Sequence, residues 1–388
     1  MSPVDAYADP LAGIVLDGRY RVDTMIATGG MSAVYRGLDL RLDRPVAVKI
    51  MDSRYAGDTQ FLTRFQREAR AVARLAHPGV VAVFDQGIDG QHPFLVMELV
   101  EGGTLRELLR ERGPMPPHAA AAVLGPVLGG LSAAHRAGLV HRDIKPENVL
   151  ISDAGDVKIA DFGLVRAVAD AKITSTSVIL GTAAYLSPEQ VSTGDAGPGS
   201  DVYGVGIMTY ELLTGRTPFT GDTALTVAYQ RMDNDVPPPS SVITGVPPQF
   251  DELVLRATDR DPARRYADAE EMGEELAAIV EELGLPPFRV PAPQQSAQHT
   301  SAAMTAPPPP PMPPPPRQQT RAYERDELPE PEYDAPASRF AGIDIDEFYW
   351  ARQRAKRALL FWFVAVLTLT GLVAAAAWTV GSNLPNLI

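Results

Sequence analysis

Short runs of alternating apolar and polar residues dominate the first part of the chain. Because side chains on a β-strand point to opposite faces in turn, this period of two predicts strands. The predicted strands cover residues 20–22, 33–35, 46–50, 80–84 and 93–97. One helical stretch, residues 61–76, interrupts them. The residues from 20 to about 100 are therefore predicted to form a β-rich lobe.

The spacing of apolar residues changes after Gly103 to the period of an α-helix. Helices predicted from this spacing cover residues 105–110, 117–137, 202–214, 224–232, 249–258 and 267–282. We interpret residues 20–284 as one α+β unit with a small β-rich lobe and a larger helical lobe. Residues 1–19 form an N-terminal extension without a basic start or a long apolar run, so no signal peptide is predicted there.

Composition changes abruptly after residue 284. The segment 285–350 contains two proline tracts, 307–311 and 313–316, which favour extended polyproline conformation over a packed core. We therefore predict a Pro-rich juxtamembrane linker. A docking site for a proline-binding module is the alternative, but a spacer is the more common use of such tracts.

An uncharged stretch of 23 residues, 358–380, follows this linker. About 20 apolar residues are enough for a helix to cross a bilayer, so we predict a transmembrane helix. A buried core helix is the alternative, but nothing polar interrupts the run periodically. The preceding segment 351–357 carries four Lys and Arg residues, whereas the tail 381–388 is uncharged. Because positive flanks lie in the cytoplasm, we expect a single-pass cell-membrane protein with an extracytoplasmic C-terminus.

The chain has 35 Lys and Arg and 48 Asp and Glu residues, a net charge of −13, and no cysteine. Nucleic-acid-binding proteins neutralise phosphates with clustered Lys and Arg, so this balance argues against direct nucleic-acid binding. The absence of cysteine excludes disulfides, thiolate metal sites and cysteine nucleophiles.

The most specific motif is His-Arg-Asp-Ile-Lys-Pro-Glu-Asn at residues 141–148, followed by Asp-Phe-Gly from Asp161. Phosphoryl transfer requires an oriented hydroxyl nucleophile and neutralisation of charge. Asp143 is suited to take the proton of that hydroxyl, and Lys145 to neutralise the transferring γ-phosphoryl group. Asn148 and Asp161 supply the oxygen ligands that Mg²⁺ prefers, with Mn²⁺ as the alternative ion. ATP and Mg²⁺ are therefore the predicted cofactors.

Lys49 ends the apolar run Val-Ala-Val-Lys, where its ammonium can reach the α- and β-phosphates of a nucleotide. Glu68, in the predicted helix 61–76, is its expected ion-pair partner. The alternative is that Glu68 lies among neighbouring arginines on a solvated helix face. The order of the motifs along the chain favours the ion pair.

A segment before Lys49 stands where a glycine-rich loop would cover the phosphates. Compared with the pattern G-x-G-x-x-G-x-V, Ala27 replaces the first glycine and Ser32 the third. These replacements leave open how flexible the loop is and how tightly it binds nucleotide, and a plain hairpin is the alternative. The candidate ATP-binding residues of this segment are Ile26, Ala27, Thr28, Gly29, Gly30, Met31, Ser32, Ala33 and Val34.

In these motifs and their order, residues 20–284 resemble the Hanks-type protein kinases. The segment Leu-Gly-Thr-Ala-Ala-Tyr-Leu-Ser-Pro-Glu-Gln at residues 180–190 is similar to the eukaryotic-like kinases of actinobacteria. The resemblance implies the bilobal protein kinase fold and transfer of the ATP γ-phosphoryl group to Ser or Thr of protein substrates in signal transduction. Lys145 is typical of the serine/threonine class, so tyrosine phosphorylation is the less expected activity.

Further roles follow from this resemblance alone. Glu189 stands in Ser-Pro-Glu, where the family usually has Ala-Pro-Glu, and is expected to pair with Arg265 and brace the large lobe. Asp201 is expected to hold the backbone of the catalytic loop. Thr182 is expected to contact Asp143 and its neighbour Lys145.

The stretch 95–100 resembles the hinge between the two lobes. Met97 would be the gatekeeper, and the backbone of Glu98 and Val100 would bind adenine. The alternative is an ordinary buried strand end, but the position before Glu-Gly-Gly favours the hinge.

Regulation by phosphorylation is expected because Arg142, directly before Asp143, would gain a partner from a phosphate on the activation segment. Thr174 and Thr176 form a Thr-x-Thr pair that resembles the autophosphorylation sites of the family. With only residues 381–388 expected outside the cell, gating is predicted to come from homodimerisation in the membrane, from another kinase or from binding at the linker.

Two other functions compete with this interpretation. A pseudokinase-like membrane scaffold would account for the altered glycine-rich loop, but the polar residues needed for nucleotide, metal and proton chemistry are all present. A small-molecule phosphotransferase with a kinase-like fold would leave Thr182 and the Ser-Pro-Glu motif unexplained. Protein serine/threonine phosphorylation therefore explains more of the sequence.

Overall fold

The computed structural model describes residues 9–162 and 183–305, with the backbone of residues 339–340 and 343–344. The chain divides into two units, residues 1–310 and 311–388. The described part of the second unit is a short antiparallel pair of strands, Arg339–Phe340 and Ile343–Asp344.

The small lobe is built on a six-stranded antiparallel sheet with the order β1-β2-β3-β4-β6-β5. The central strand β4 is buried on both faces, which explains its nearly continuous apolar sequence. The strands are β1 Val15–Leu16, β2 Tyr20–Thr28, β3 Ser32–Asp39, β4 Arg44–Met51, β5 Val83–Asp89 and β6 His92–Met97.

Helix α1, Thr59–Val72, belongs to the same lobe. It begins where the Asp58 side chain accepts hydrogen bonds from two backbone amides of the first turn, the usual role of an N-cap aspartate. It ends four residues before the predicted boundary. One face of the helix supplies Phe61, Phe65 and Ala69 to the core of the lobe, while Val72 at its end packs with the core of the large lobe.

The large lobe is mainly helical. Helix α5 is buried from Ser200 to Thr214 and packs against α3, α7 and α8, so it forms the axis of the lobe. A small sheet, β7-β8-β9, packs against α2 and α3. The elements are β7 Gly102–Thr104, α2 Leu105–Arg112, α3 Pro117–Arg136, β8 Val149–Ser152, β9 Val157–Ile159, α4 Pro188–Ser192, α5 Pro198–Thr214, α6 Ala224–Asp233, α7 Pro248–Ala257 and α8 Ala269–Glu282.

Among the described residues, one helix is long and apolar enough to cross a membrane, and it is α3. Most of its apolar window is buried inside the large lobe, as expected of a core helix. The predicted transmembrane helix 358–380 and its flanks, 351–357 and 381–388, lie outside the described residues.

The segment that follows α8 differs from its prediction. Residue 285 does not begin an extended spacer, because residues 285–296 run along the large lobe and helix α9, Ala297–Thr305, packs against β2 and β7. Several of these contacts are hydrogen bonds from its backbone amides to acidic side chains. Such contacts do not require a periodic apolar stripe, so the sequence pattern does not reveal them. The two proline tracts lie outside the described residues.

Candidate active site

The catalytic loop, residues 141–148, is held by Asp201 of α5. Its carboxylate accepts hydrogen bonds from the backbone amides of His141 at 2.8 Å and Arg142 at 2.7 Å. Its Oδ2 also lies 2.9 Å from Nε2 of His135. Asp201 is fully buried, and hydrogen bonds of this kind offset the cost of removing a carboxylate from water. The structure thus places Asp201 on the backbone that it was expected to hold.

Two non-glycine residues of the site have left-handed backbone conformations. Arg142 has a φ of 70° and Asp161 a φ of 64°. Such conformations are unfavourable for L-residues and persist where the surroundings hold them. Asp201 holds the Arg142 amide, and Nε2 of Gln190 donates to the Arg142 carbonyl at 3.0 Å. The turn directly before Asp143 is therefore held from both sides.

Asp143, Lys145 and Asn148 form one hydrogen-bonded cluster. Lys145 Nζ lies 2.7 Å from Asp143 Oδ2, and Asn148 Nδ2 donates to that oxygen at 3.1 Å and to the Asp143 carbonyl at 2.7 Å. The second carboxylate oxygen, Oδ1, is shielded from solvent and accepts no hydrogen bond from the described residues. It is suited to accept the proton of a hydroxyl group.

The buried Lys49 and the partly buried Asp161 form an ion pair in which Nζ lies 2.7 Å from Oδ1. Burial raises the pKa of Asp161, but the charge and hydrogen bond of Lys49 outweigh it and hold the pKa below its ordinary value. Asp161 is therefore an anion near neutral pH.

The expected ion pair between Lys49 and Glu68 does not occur among the described ion pairs, where the partner of Lys49 is Asp161. Glu68 lies on α1 and is partly buried. Glu68 and Asp161 both carry a carboxylate that could pair with the ammonium group of Lys49. Only the folded geometry decides which of the two lies within reach.

The candidate metal ligands are Asn148 and Asp161. Because Asn148 donates through Nδ2, its amide oxygen is the atom suited to a cation, and Asp161 offers a carboxylate. These hard oxygen donors fit a divalent ion that keeps water and phosphate oxygens as its other ligands. In the part of the chain that the structure describes, no group of three or more His, Cys, Asp or Glu side chains could hold a metal ion.

The glycine-containing segment is a hairpin between β2 and β3. Ala27 pairs with Val34 across it, and the backbone amide of Gly29 donates to the Ser32 carbonyl at 2.8 Å. Ser32 also pairs with Met51 of β4. The two positions that lack the usual glycine therefore lie in paired strands, where a side chain is tolerated, and not in the turn between them.

The hinge follows β6. Met97 is buried at the end of that strand, and Lys158 Nζ lies 2.6 Å from the Glu98 carboxylate. The Glu98 amide donates to the Ala82 carbonyl at 2.8 Å. The Glu98 carbonyl and the Val100 amide make no backbone hydrogen bond to the described residues, so both are available to the edge of a base.

Glu189 and Arg265 form the pair that the resemblance implies. The two guanidinium Nη atoms lie 2.8 and 2.9 Å from the two carboxylate oxygens, and Ser200 Oγ donates to the same carboxylate at 2.6 Å. Arg265 also donates to three backbone carbonyls, including that of Gly199 at 3.0 Å. Such a bidentate pair joins α4 to the loop before α8 in one geometry.

Sequence reasoning missed a second network, centred on Arg106 of α2. Its guanidinium lies 2.8 Å from Glu147 in the catalytic loop, 2.5 Å from Glu211 of α5 and 2.5 Å from the Tyr185 hydroxyl. Tyr185 donates in turn to Glu211. Glu147 lies inside the most specific motif, but its partners are distant in sequence and no local pattern connects them.

Three predicted residues, Thr174, Thr176 and Thr182, lie outside the described residues. Of the other predicted residues, Lys49 of the small lobe pairs with Asp161 of the large lobe, and Asp143, Lys145 and Asn148 form a cluster in the large lobe. Glu189 and Arg265 form a separate pair. Together, the groups around Lys49 and Asp143 include a carboxylate beside a lysine, an amide and a carboxylate suited to a cation, and a second lysine, which is buried. Those groups provide the chemistry that phosphoryl transfer requires.

The protein kinase domain family matches residues 20–276. The chain therefore belongs to the protein kinase family, and the bilobal fold predicted from sequence is confirmed for the described lobes. It is a Hanks-type serine/threonine protein kinase, a transferase that uses ATP and a divalent metal ion as this family does.

Particular relatives sharpen this assignment. The chain is 67% identical to serine/threonine-protein kinase PknL of Mycobacterium tuberculosis H37Rv over 98% of both chains. It is 42% identical to PknA of the same strain over 70% of this chain and 63% of that protein. A crystal structure of the M. tuberculosis PknI kinase domain matches with a TM-score of 0.56 and 25% identity, covering 70% of this chain and 99% of that one.

Proposed function

We propose that the kinase transfers the ATP γ-phosphoryl group to Ser or Thr of protein substrates with Asp143 as the catalytic base. The observation that carries this proposal is the different hydrogen bonding of the two Asp143 carboxylate oxygens. One oxygen is held by Lys145 and Asn148, while the other is shielded from solvent and accepts no hydrogen bond from the described residues. That second oxygen would accept the proton of the substrate hydroxyl.

The neighbouring residues would stabilise the charge that moves in the reaction. Lys145, bonded to Asp143, would neutralise the transferring phosphoryl group, and Lys49 would contact the α- and β-phosphates. Asn148 and Asp161 would hold Mg²⁺, with Mn²⁺ as the alternative ion. When bound, the ion neutralises negative charge on the phosphates.

The nucleotide would bind between the hairpin and the hinge. The backbone amides of the loop between β2 and β3 would cover the phosphates, with Gly29 at its centre. The Glu98 carbonyl and the Val100 amide would bind the adenine edge beside the gatekeeper Met97. Support comes from the hairpin geometry and from the two hinge groups without backbone partners among the described residues.

We place the enzyme in the cell membrane, with its kinase domain in the cytoplasm and the tail 381–388 outside. The uncharged run 358–380 and the basic segment 351–357 support this topology.

Autophosphorylation of Thr174 and Thr176 would activate the kinase in signal transduction, with Thr182 contacting the catalytic loop. A homodimer in the membrane would bring two activation segments together. A membrane scaffold without catalysis is the second candidate, favoured only by the altered glycine-rich loop.

The test of this proposal compares Asp143→Asn with the unmutated protein in ATP and Mg²⁺. We expect phosphate transfer to fall by roughly 10²- to 10⁴-fold, because a positioned general base typically contributes that much. Intact mass and phosphosite mapping would find phosphate on Thr174 or Thr176 only where the base is present. Omission of Mg²⁺ should abolish transfer in the unmutated protein, and added Mn²⁺ tests the alternative ion.

The matched control is Asp156→Asn. Asp156 lies in the same lobe, is exposed and bonds only to Ser152 among the described residues, so its loss should leave transfer unchanged. Full activity in a folded Asp143→Asn protein would refute the assigned base. Absence of phosphate transfer in every sample would favour the scaffold.

A further inference from the structure

Residues 285–305, which we call the strap, leave α8 and cross the large lobe. Arg289 Nε donates to the Ala154 carbonyl at 2.9 Å, and Val290 is buried against the lobe. A Cβ atom at Gly155, whose φ is 86°, would lie 2.9 Å from the Val290 carbonyl oxygen, so a glycine is needed for this approach. The strap therefore begins as a closely fitted part of the large lobe.

The middle of the strap is fastened beside the hinge. Two carboxylates of α2 accept hydrogen bonds from backbone amides of the strap. The Gln294 amide donates to Glu111 at 2.7 Å, and the Ala297 amide donates to Glu107 at 2.9 Å. Such charge-assisted bonds are stronger than bonds between neutral groups. The Ser296 hydroxyl, on a residue only 2% exposed, donates to the Gly102 carbonyl. These contacts fix the start of α9 against β7.

The fit to β7 again depends on a missing side chain. A Cβ atom at Gly103 would lie 2.4 Å from Pro293 and 2.7 Å from Ser296. Approaches under 3 Å cannot be accommodated without movement. Gly103 follows the hinge, so the strap is seated directly on the segment that joins the lobes.

The end of the strap reaches the small lobe. Ser301 of α9 is 2% exposed, and its carbonyl accepts a hydrogen bond from the Thr24 hydroxyl of β2 at 3.3 Å. Two residues earlier, His299 Nε2 lies 2.9 Å from Asp153 of the large lobe. A single short helix therefore contacts both lobes, and β2 is the strand that leads into the loop between β2 and β3.

We propose that the strap is a positioning element for the nucleotide: it limits how far the lobes separate and thereby slows release of ADP. A bridge between two bodies that must separate restricts their relative motion, and it stabilises the closed cleft by reducing the entropy lost on closure. The inference rests on the nucleotide site proposed above. Ser296 and Ser301 act through β7 and β2, and neither contacts the reacting groups in this assignment.

The experiment uses the full-length protein with three substitutions. Ser301→Arg puts a large charged side chain into the buried contact with β2, and Glu111→Ala removes the acceptor of the Gln294 amide. Gln295→Ala is the matched control, because this exposed side chain makes no hydrogen bond to the described residues. Dissociation of a fluorescent ADP analogue, KM for ATP and kcat are measured, with amide hydrogen exchange over residues 297–305 to report release of the strap.

We expect Ser301→Arg and Glu111→Ala to speed ADP dissociation and raise KM for ATP by roughly 5- to 10-fold, the lower range of coupling between sites. kcat should be unchanged or higher, since the chemical groups are intact. Faster exchange over the strap with unchanged ADP dissociation would overturn the proposal. If Ser301→Arg fails to fold, Glu111→Ala still decides between these results. A folded, unmutated protein that binds no nucleotide would refute the proposed nucleotide site itself.

Discussion

The region around the Glu189–Arg265 pair of the large lobe, which we call the base, and the loop between β2 and β3 are stabilised in opposite ways. At the base, the Arg265 side chain is 0% exposed, and its guanidinium donates to Glu189 and to backbone carbonyls. In the loop, the contacts come from the backbone, as between the Gly29 amide and the Ser32 carbonyl. One region depends on the identity of its side chains, whereas the other depends on the path of its chain.

This difference explains what each region tolerates. Removal of one partner of a buried ion pair leaves the other charge without compensation, so substitutions there are costly. A strand hydrogen bond forms with almost any side chain, so Ala27 and Ser32 can replace glycines without loss of the hairpin. Single substitutions at the base should therefore lower the free energy of unfolding more than single substitutions in the loop.

The largest effect is expected from Arg265→Leu. The leucine leaves the Glu189 carboxylate partly buried with one donor, Ser200, where there were three. We expect the free energy of unfolding to fall by about 3–5 kcal/mol, the usual cost of breaking a buried pair. Urea denaturation of the purified protein measures this change as a lower midpoint.

Its control is the adjacent Arg264→Leu. The Arg264 side chain is 72% exposed and lies 3.8 Å from Asp261, so its removal should change the free energy of unfolding by no more than about 0.5 kcal/mol. Equal losses from the two substitutions would contradict the contrast drawn between buried and exposed arginines.

The same pair predicts how stability depends on pH. Burial raises the pKa of Glu189, but hydrogen bonds from Arg265 and Ser200 outweigh it and lower the pKa to about 2. Because the folded-state pKa lies below the unfolded value, the stabilisation is present above about pH 4.5 and is lost as pH falls towards 2. The contribution is at most roughly 3.5 kcal/mol, since the shift from 4.5 to about 2 is about 2.5 pKa units and one unit corresponds to about 1.4 kcal/mol.

Urea denaturation of the unmutated protein and Glu189→Gln between about pH 5 and pH 3 measures this contribution. The amide cannot titrate, so the difference in unfolding free energy between the two proteins should shrink as pH falls. A difference that stays constant over that range would show that the Glu189 pKa is not depressed by its partners.

The helices of the large lobe could be predicted because the spacing of their apolar residues reflects whether one face or every face of the helix is buried. The helix predicted at 224–232 is observed as Ala224–Asp233, and that at 249–258 as Pro248–Ala257. Strands β7, β8 and β9 escaped prediction, since three or four residues are too few to show a period of two. Periodicity thus locates long elements with one environment and misses short ones.

The candidate site was predictable where its residues share a motif, and less so where the fold brings them together. Asp143, Lys145 and Asn148 lie within six residues of sequence and contact one another. Lys49 is different, because its partner in the structure, Asp161, is 112 positions away, whereas the prediction paired Lys49 with Glu68 and assigned Asp161 to the metal ion. Helix α9 has no apolar stripe, and its anchors on α2 are far away in sequence.

The smallest effect is expected from Ser32→Gly, which restores a glycine of the usual pattern. Ser32 lies in β3, paired with Met51, and does not adopt a left-handed φ, so nothing there requires a glycine. The substitution should cost about 0.5–1 kcal/mol of stability, because glycine loses more conformational freedom in a strand. KM for ATP should stay within about twofold, as for substitutions away from special contacts. Ala27→Gly, in the paired strand β2, should behave in the same way. A tenfold fall in KM would show instead that the missing glycines weaken nucleotide binding, and that the loop is more constrained by its side chains than its backbone contacts indicate.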